Sequence, residues 1–92
     1  MTFVNVLKPV AEEKYLCPCC GFRTLMDRGG FGLCPVCNWE DDGQDERDTD
    51  EVRGGPNGNL SLTQARLNFK VFAVSDPSFI SSVRKPLDAE KL

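Results

Sequence analysis

Two Cys-x-x-Cys elements, Cys17-Pro18-Cys19-Cys20 and Cys34-Pro35-Val36-Cys37, constrain this chain more than anything else in it. Paired elements of this kind, separated by a short loop, are the spacing by which four thiolates surround one tetrahedral ion. Chelation by two cysteines three apart requires a tight turn whose backbone N–H groups point back at the first sulfur. Pro18 and Pro35 suit that turn, because proline presets φ and contributes no N–H where none is needed. Gly21 and Asn38 follow the second cysteine of each element, where the chain bends away, often through positive φ. Glycine enters that region without a Cβ penalty, and asparagine is among the few other residues that visit it readily. Both halves thus carry the same local solution. Cys17, Cys20, Cys34 and Cys37 are read as ligands of one metal ion.

A chain of 92 residues allows one compact domain, and a core of that size supplies only ~3–5 kcal/mol without a staple. Structural zinc in small four-ligand sites is worth about 10–16 kcal/mol near neutral pH. The metal therefore decides whether the N-terminal half folds. Five cysteines, an odd count, fit a disulfide framework poorly. No apolar run approaches a membrane span, and the N-terminus lacks a basic start and a small-residue cleavage site. The expectation is a cytoplasmic chain with reduced thiols. The formal charge of −3 becomes more negative once four thiolates hold a divalent ion, which argues against phosphate backbones as partners.

Phe3 to Leu7 has strand-like composition before Lys8-Pro9, and residues 1–13 read as an N-terminal arm. Residues 14–86 read as a single zinc-binding domain: a ribbon over 14–40, an acidic loop over 41–53, and a turn and helical part over 54–86. Lys14-Tyr15-Leu16 leads into the first cysteine turn, and Phe22 to Met26 continues beyond it with half-buried strand alternation. Asp27 to Gly30 is a turn and Phe31-Gly32-Leu33 returns, so that the two cysteine turns face each other across a small antiparallel sheet. Trp39 is expected to roof the metal site, although tryptophan also serves at binding hot spots. The segment Glu40 to Glu51 holds eight acidic residues against Arg47 and reads as a solvated loop. Its carboxylate spacing does not match a calcium-binding EF-hand, and without histidine it offers no acid–base pair for hydrolysis.

Gly54 to Asn59 is a shaped turn lacking the Lys-Ser/Thr ending of a phosphate loop. Ser61 and Gln64 form a capping-box pattern opening a helix over Leu62 to Val74, with Leu62, Ala65, Phe69, Phe72 and Ala73 as its core face. Pro77 suits the first position of a second short helix carrying Phe79, Ile80 and Val83. Residues 87–92 are expected to form a frayed tail. The fold class is small α+β: zinc-ribbon or rubredoxin-like antiparallel hairpins with a C-terminal helix packed on the metal-bound sheet.

The two cysteine elements, Trp39-Glu40-Asp41-Asp42-Gly43, Gly54-Gly55-Pro56-Asn57, Ser61-Leu62, Ala65-Arg66-x-Asn68-Phe69 and Val83-Arg84-Lys85-Pro86 occur in that order. On these the chain resembles the bacterial cysteine-rich CPCC family from about Tyr15 to Pro86. The resemblance implies a small zinc-ribbon-like protein of unsettled role, sometimes placed near toxin and immunity systems, with no established reaction. It also makes Trp39, Asp41, Asp42, Asn57, Arg66 and Asn68 candidates for a structural or interaction surface. Arg66 is expected to pair with Asp41 or Asp42 and clamp the helix onto the ribbon.

These residues support three functions. The first is a structural zinc module binding another protein, since a closed four-sulfur site leaves no position for a catalytic water. The second is thiol chemistry at Cys19, the surplus cysteine, whose pKa a neighbouring ion could lower and which could also serve as an alternate ligand. The third is a nucleic-acid-binding zinc ribbon using Arg23, Arg28 or Arg84-Lys85. No catalytic residue is assigned, and zinc is the expected ion, with iron the alternative.

Overall fold

The structure, a computed structural model, describes residues 14–91. The expected N-terminal arm, with its strand at Phe3 to Leu7, lies outside the described residues. The described chain forms a small α+β unit: strands β1 (Tyr15–Leu16) and β2 (Arg23–Leu25), one helix α1 (Leu62–Phe72), and three 3-10 segments, Glu46–Asp48, Pro77–Ser82 and Asp88–Glu90.

β1 and β2 form an antiparallel hairpin around the first cysteine turn, pairing Tyr15 with Leu25 and Leu16 with Arg23. Two residues on β1 therefore oppose three on β2, and the surplus residue is Thr24. A regular strand sends neighbours to opposite faces, whereas a bulge re-aims one of them. Thr24 and Leu25 are accordingly both buried. The second cysteine turn lies in a looser hairpin, with a bridge between Leu33 and Glu40 and backbone bonds from Phe31 N to Asp41 O and Asp41 N to Gly32 O, both 2.9 Å. The expected continuous sheet across both turns is thus reduced to one short ladder and an isolated bridge. The interruption sits where Gly29 and Phe31 take positive φ, +73° and +63°.

Helix α1 begins as expected, with the Ser61 hydroxyl accepting from Gln64 N at 3.1 Å. The Gln64 side chain does not reach back to close the box; its amide donates to Asn68 Oδ1 at 3.0 Å. The helix also stops short of Val74. Ala73 adopts φ +63° in the left-handed region and its N–H bonds Phe69 O, ending the helix at Phe72. The Asn68 amide holds the exit by donating to Ser75 O at 2.7 Å, while Ser75 N bonds Cys37 O at 2.7 Å. Turning the chain this way buries Val74 and Ser75 and leaves Phe72 and Ala73 exposed. The inward face is therefore Leu62 and Ala65, with Phe69 partly buried and Phe72 and Ala73 excluded.

Two expectations about polar segments are corrected. The acidic segment keeps Glu46, Asp50 and Glu51 in solvent as a solvated loop would, but it is also anchored: Asp41 and Gln44 are fully buried. Gln44 Nε2 donates to Asp48 O and Glu51 O at 2.9 and 2.7 Å, satisfying carbonyls at the end of the 3-10 segment and just beyond it, and Arg53 pairs with Asp48. The described part of the expected frayed tail, residues 87–91, is held in place. Glu90 is buried, receives both terminal guanidinium nitrogens of Arg84 at 2.9 and 2.8 Å, and accepts from Leu87 N at 2.8 Å. The short helix expected after Pro77 is a 3-10 segment, capped by Asp76 and kinked at Phe79. Among the described residues, no helix is long and apolar enough to cross a membrane.

Candidate metal centre

Each cysteine turn is built by the same two backbone bonds. Gly21 N reaches Cys17 O at 2.8 Å and Cys17 N reaches Phe22 O at 2.8 Å; in the second turn Asn38 N reaches Cys34 O at 2.8 Å and Cys34 N reaches Trp39 O at 2.9 Å. Gly21 and Asn38 take φ +82° and +70°, the left-handed conformation their identities anticipate. Phe22 and Trp39 are thus equivalent residues of two matching turns.

The turns bring Cys17, Cys20, Cys34 and Cys37 together, with their sulfurs all within 4.8 Å of one another. Two pairs cross between the turns, Cys17 to Cys37 at 3.6 Å and Cys20 to Cys34 at 3.8 Å. Four ligands about 2.3 Å from a tetrahedral zinc stand about 3.8 Å apart, so the set fits such an ion. Cys17, Cys34 and Cys37 are buried and Cys20 is partly exposed. The four are free thiols, and their crowding moves Cys34 in one direction and Cys20 and Cys37 in the other. Hydrogen bonds from Cys17, Cys20 and Cys37, with a smaller one from Thr24, hold Cys34 far below the ordinary thiol range. Hydrogen bonding with Cys17 is the largest cause pushing Cys37 and Cys20 upward. A cation held by Cys17, Cys20, Cys34 and Cys37 would remove this conflict by stabilising the thiolates together.

Thr24, delivered by the bulge, donates its hydroxyl to Cys34 Sγ at 3.0 Å. Such a bond orients a ligand and offsets part of its charge. The strand pattern gave no sign of it; a hydroxyl residue a few positions past a cysteine turn is the only clue in the sequence. Cys19 lies in the buried cluster with Leu25, Val36, Trp39, Leu62 and Ala65, at 8% exposure, and is not one of the four grouped sulfurs. Trp39 is fully buried in that same cluster, its indole N–H without a protein partner among the described residues.

Of the polar candidates, Arg66 does join the helix to the first turn, but through a different partner. Its Nε donates to Pro18 O at 2.8 Å and its Nη2 pairs with exposed Glu46 at 2.7 Å, rather than with Asp41 or Asp42. Asp41 is taken by Arg28 at 2.9 Å, Gly29 N at 2.6 Å and Gly43 N at 3.1 Å. Asp42 accepts locally from Gln44 N at 3.1 Å. Arg28 also reaches Asp45 and the Gln44 carbonyl, so it is the residue that fastens the acidic segment to the ribbon. Charge counting could not assign it that partner, because Asp41 was one of eight nearby carboxylates. Of the basic residues considered for nucleic acid, Arg28 and Arg84 are paired internally with carboxylates, and Arg23 donates to the Lys14 carbonyl at 3.4 Å. Asn57 brackets Glu40, accepting from its N–H at 3.0 Å and donating to its carbonyl at 2.7 Å, as a neighbouring strand would.

A family model described as cysteine-rich CPCC matches residues 15–90, which takes in both turns, α1 and the Arg84–Glu90 pair. The chain belongs to the cysteine-rich CPCC family. No curated protein matches it. In this CPCC protein the first turn spells the family's signature as Cys17-Pro18-Cys19-Cys20, and the structure uses the outer two of its three cysteines for the four-sulfur cluster.

Proposed function

We propose that this CPCC protein is a cytoplasmic structural zinc module that presents a surface to another protein. The observation that carries the zinc reading is the mutual approach of four sulfurs, each from an equivalent position of two matching turns, within one buried cluster. A four-thiolate tetrahedron accommodates zinc or iron, and zinc is preferred because the cluster takes the place of a larger apolar core, a role that calls for no electron transfer. Cys17, Cys20, Cys34 and Cys37 would hold the ion; when bound it supplies charge neutralisation and cross-linking of the two turns. All four protein ligands are accounted for, which supports a structural rather than a catalytic site.

A docking role is supported by apolar side chains left at the surface, including Leu33, Val71, Phe79 and Ile80, beyond what a small core requires. The family resemblance is what suggests a toxin or immunity setting. Burial of Cys19 weighs against a reactive thiol. The test is elemental analysis of the purified protein, followed by affinity capture from the native host with and without chelator. One zinc per chain and a chelator-sensitive protein partner are expected. A red, iron-containing protein would replace the metal, and a partner indifferent to chelation would remove the link between metal and docking.

A further inference from the structure

A groove of about 550 Å³ opens beside the second cysteine turn, between that turn, the Pro56 to Leu60 segment and the 3-10 segment that begins at Pro77. Its apolar wall is Leu33, Leu60 and Phe79; Leu33 and Phe79 are about half exposed. Glu40 and Asp76 also line it, and no lysine or arginine does among the described residues. Neither carboxylate makes an ion pair with a described residue. Asp76 uses one oxygen to cap the 3-10 segment, accepting from Ser78 N and Oγ at 3.0 and 2.9 Å. Elsewhere in the molecule Asp41, Asp45, Asp48 and Glu90 are each matched to an arginine. The groove is therefore a place where negative charge stands beside apolar surface without a counter-ion among the described residues.

We propose that this groove binds a protein segment carrying arginine or lysine beside apolar side chains. This rests on the docking function above and names the chemistry of the partner. A long cationic side chain fits both halves of the groove: its methylene stem lies on apolar surface while its head reaches a carboxylate, and a guanidinium can also stack on an aromatic ring such as Phe79. An acidic segment would meet like charge, so the arrangement selects by sign. The groove is also tied to the metal centre. Glu40 closes the hairpin that carries Cys34 and Cys37 and is held in place by Asn57, and Ser75, one residue before Asp76, is bonded to the Cys37 carbonyl. Removing the metal should therefore disperse the groove.

The test is a titration of the metal-loaded full chain, followed by amide NMR shifts, with the capped peptide acetyl-Leu-Arg-Leu-Arg-Leu-amide and its glutamate and glutamine counterparts. The arginine peptide is expected to move the amides of Asn38, Asn57 and Phe79, and to bind at least tenfold more tightly than the glutamate peptide at low salt. The double variant Glu40→Gln with Asp76→Asn, which keeps a capping oxygen at position 76, should abolish that preference while metal content and amide dispersion stay unchanged. Equal binding of the three peptides, shifts confined to the outer face of α1, an undiminished preference in the double variant, or groove shifts that follow protein concentration alone would each overturn the proposal; the last would mean a second copy of the chain occupies the groove. If the double variant still captures a chelator-sensitive partner, the docking function stands and the groove assignment falls.

Discussion

The two cysteine turns share a backbone and differ in what holds them. In the second, Cys34, Cys37 and Trp39 are fully buried, the Pro35 carbonyl accepts from Arg84 N at 3.1 Å and the Cys37 carbonyl from Ser75 N at 2.7 Å. The first turn leaves Cys20 and Phe22 partly exposed, and among the described residues the Pro18 carbonyl, the counterpart of Pro35, is met by the Arg66 side chain and by no main-chain N–H. The second turn is tied to the C-terminal half by main-chain bonds, the first by side chains: the Arg66 guanidinium and the Phe22–Phe69 contact. Equivalent local geometry therefore need not mean equivalent strength, and the first turn is the half from which a metal ion should leave.

The largest contrast is expected at the ligands. Cys37→Ser should abolish cooperative unfolding, whereas Cys20→Ser should retain a weaker metal site because solvent can approach that corner. Thermal denaturation with metal analysis of both variants decides it, and identical loss would erase the distinction between the halves. Next come the equivalent aromatics. Trp39→Ala should cost about 3–5 kcal/mol in chemical denaturation. Phe22→Ala should cost less, about 1–2 kcal/mol, including its edge-on contact with Phe69, whose ring centroid lies 6.4 Å away.

Arg66→Ala should come third, at about 1–2 kcal/mol for a partly exposed charge-assisted bond, and should hasten metal loss to a chelator. A removal rate matching that of the parent protein would mean the Pro18 contact does not hold the first turn. The smallest effect is a pH dependence. Pairing with Arg84 lowers the pKa of Glu90 below its ordinary 4.5 despite an opposing effect of burial. A lowered carboxyl pKa stabilises the folded state above the unfolded value and loses that contribution as pH falls through the folded one. Glu90→Gln should thus narrow the gap in stability between neutral pH and pH below about 4.5, measured as the difference from the parent so that acid release of metal cancels. An unchanged difference curve would show that the pair contributes nothing to stability.

How much of this could be read in advance depended on whether a residue's role was local. The cysteine turns, Gly21, Asn38, the Ser61 cap and the burial of Trp39 follow from spacing and backbone preference within a few residues, and the structure has them so. Roles fixed by long-range partners were not legible. Arg66, expected to pair with Asp41 or Asp42, takes the Pro18 carbonyl of the first turn and the exposed Glu46 carboxylate instead; Asp41 is held by Arg28 and two backbone amides. The helical stripe was overextended at Phe72 and Ala73 because the helix end is decided by Asn68 and Cys37 reaching for Ser75, contacts that no periodicity contains. Thr24 was invisible for a related reason: alternation predicts faces for a regular strand, and one surplus residue reassigns them.

The bond from Arg84 to the Pro35 carbonyl, with Arg84 steadied by Glu90, also bears on how the protein is made. All four sulfurs emerge from the ribosome well before the segment that backs the second turn. During that interval the nascent chain displays the four thiols without their cover, so any metal capture and the final closure would be separate events in time, with the C-terminal segment as the latch.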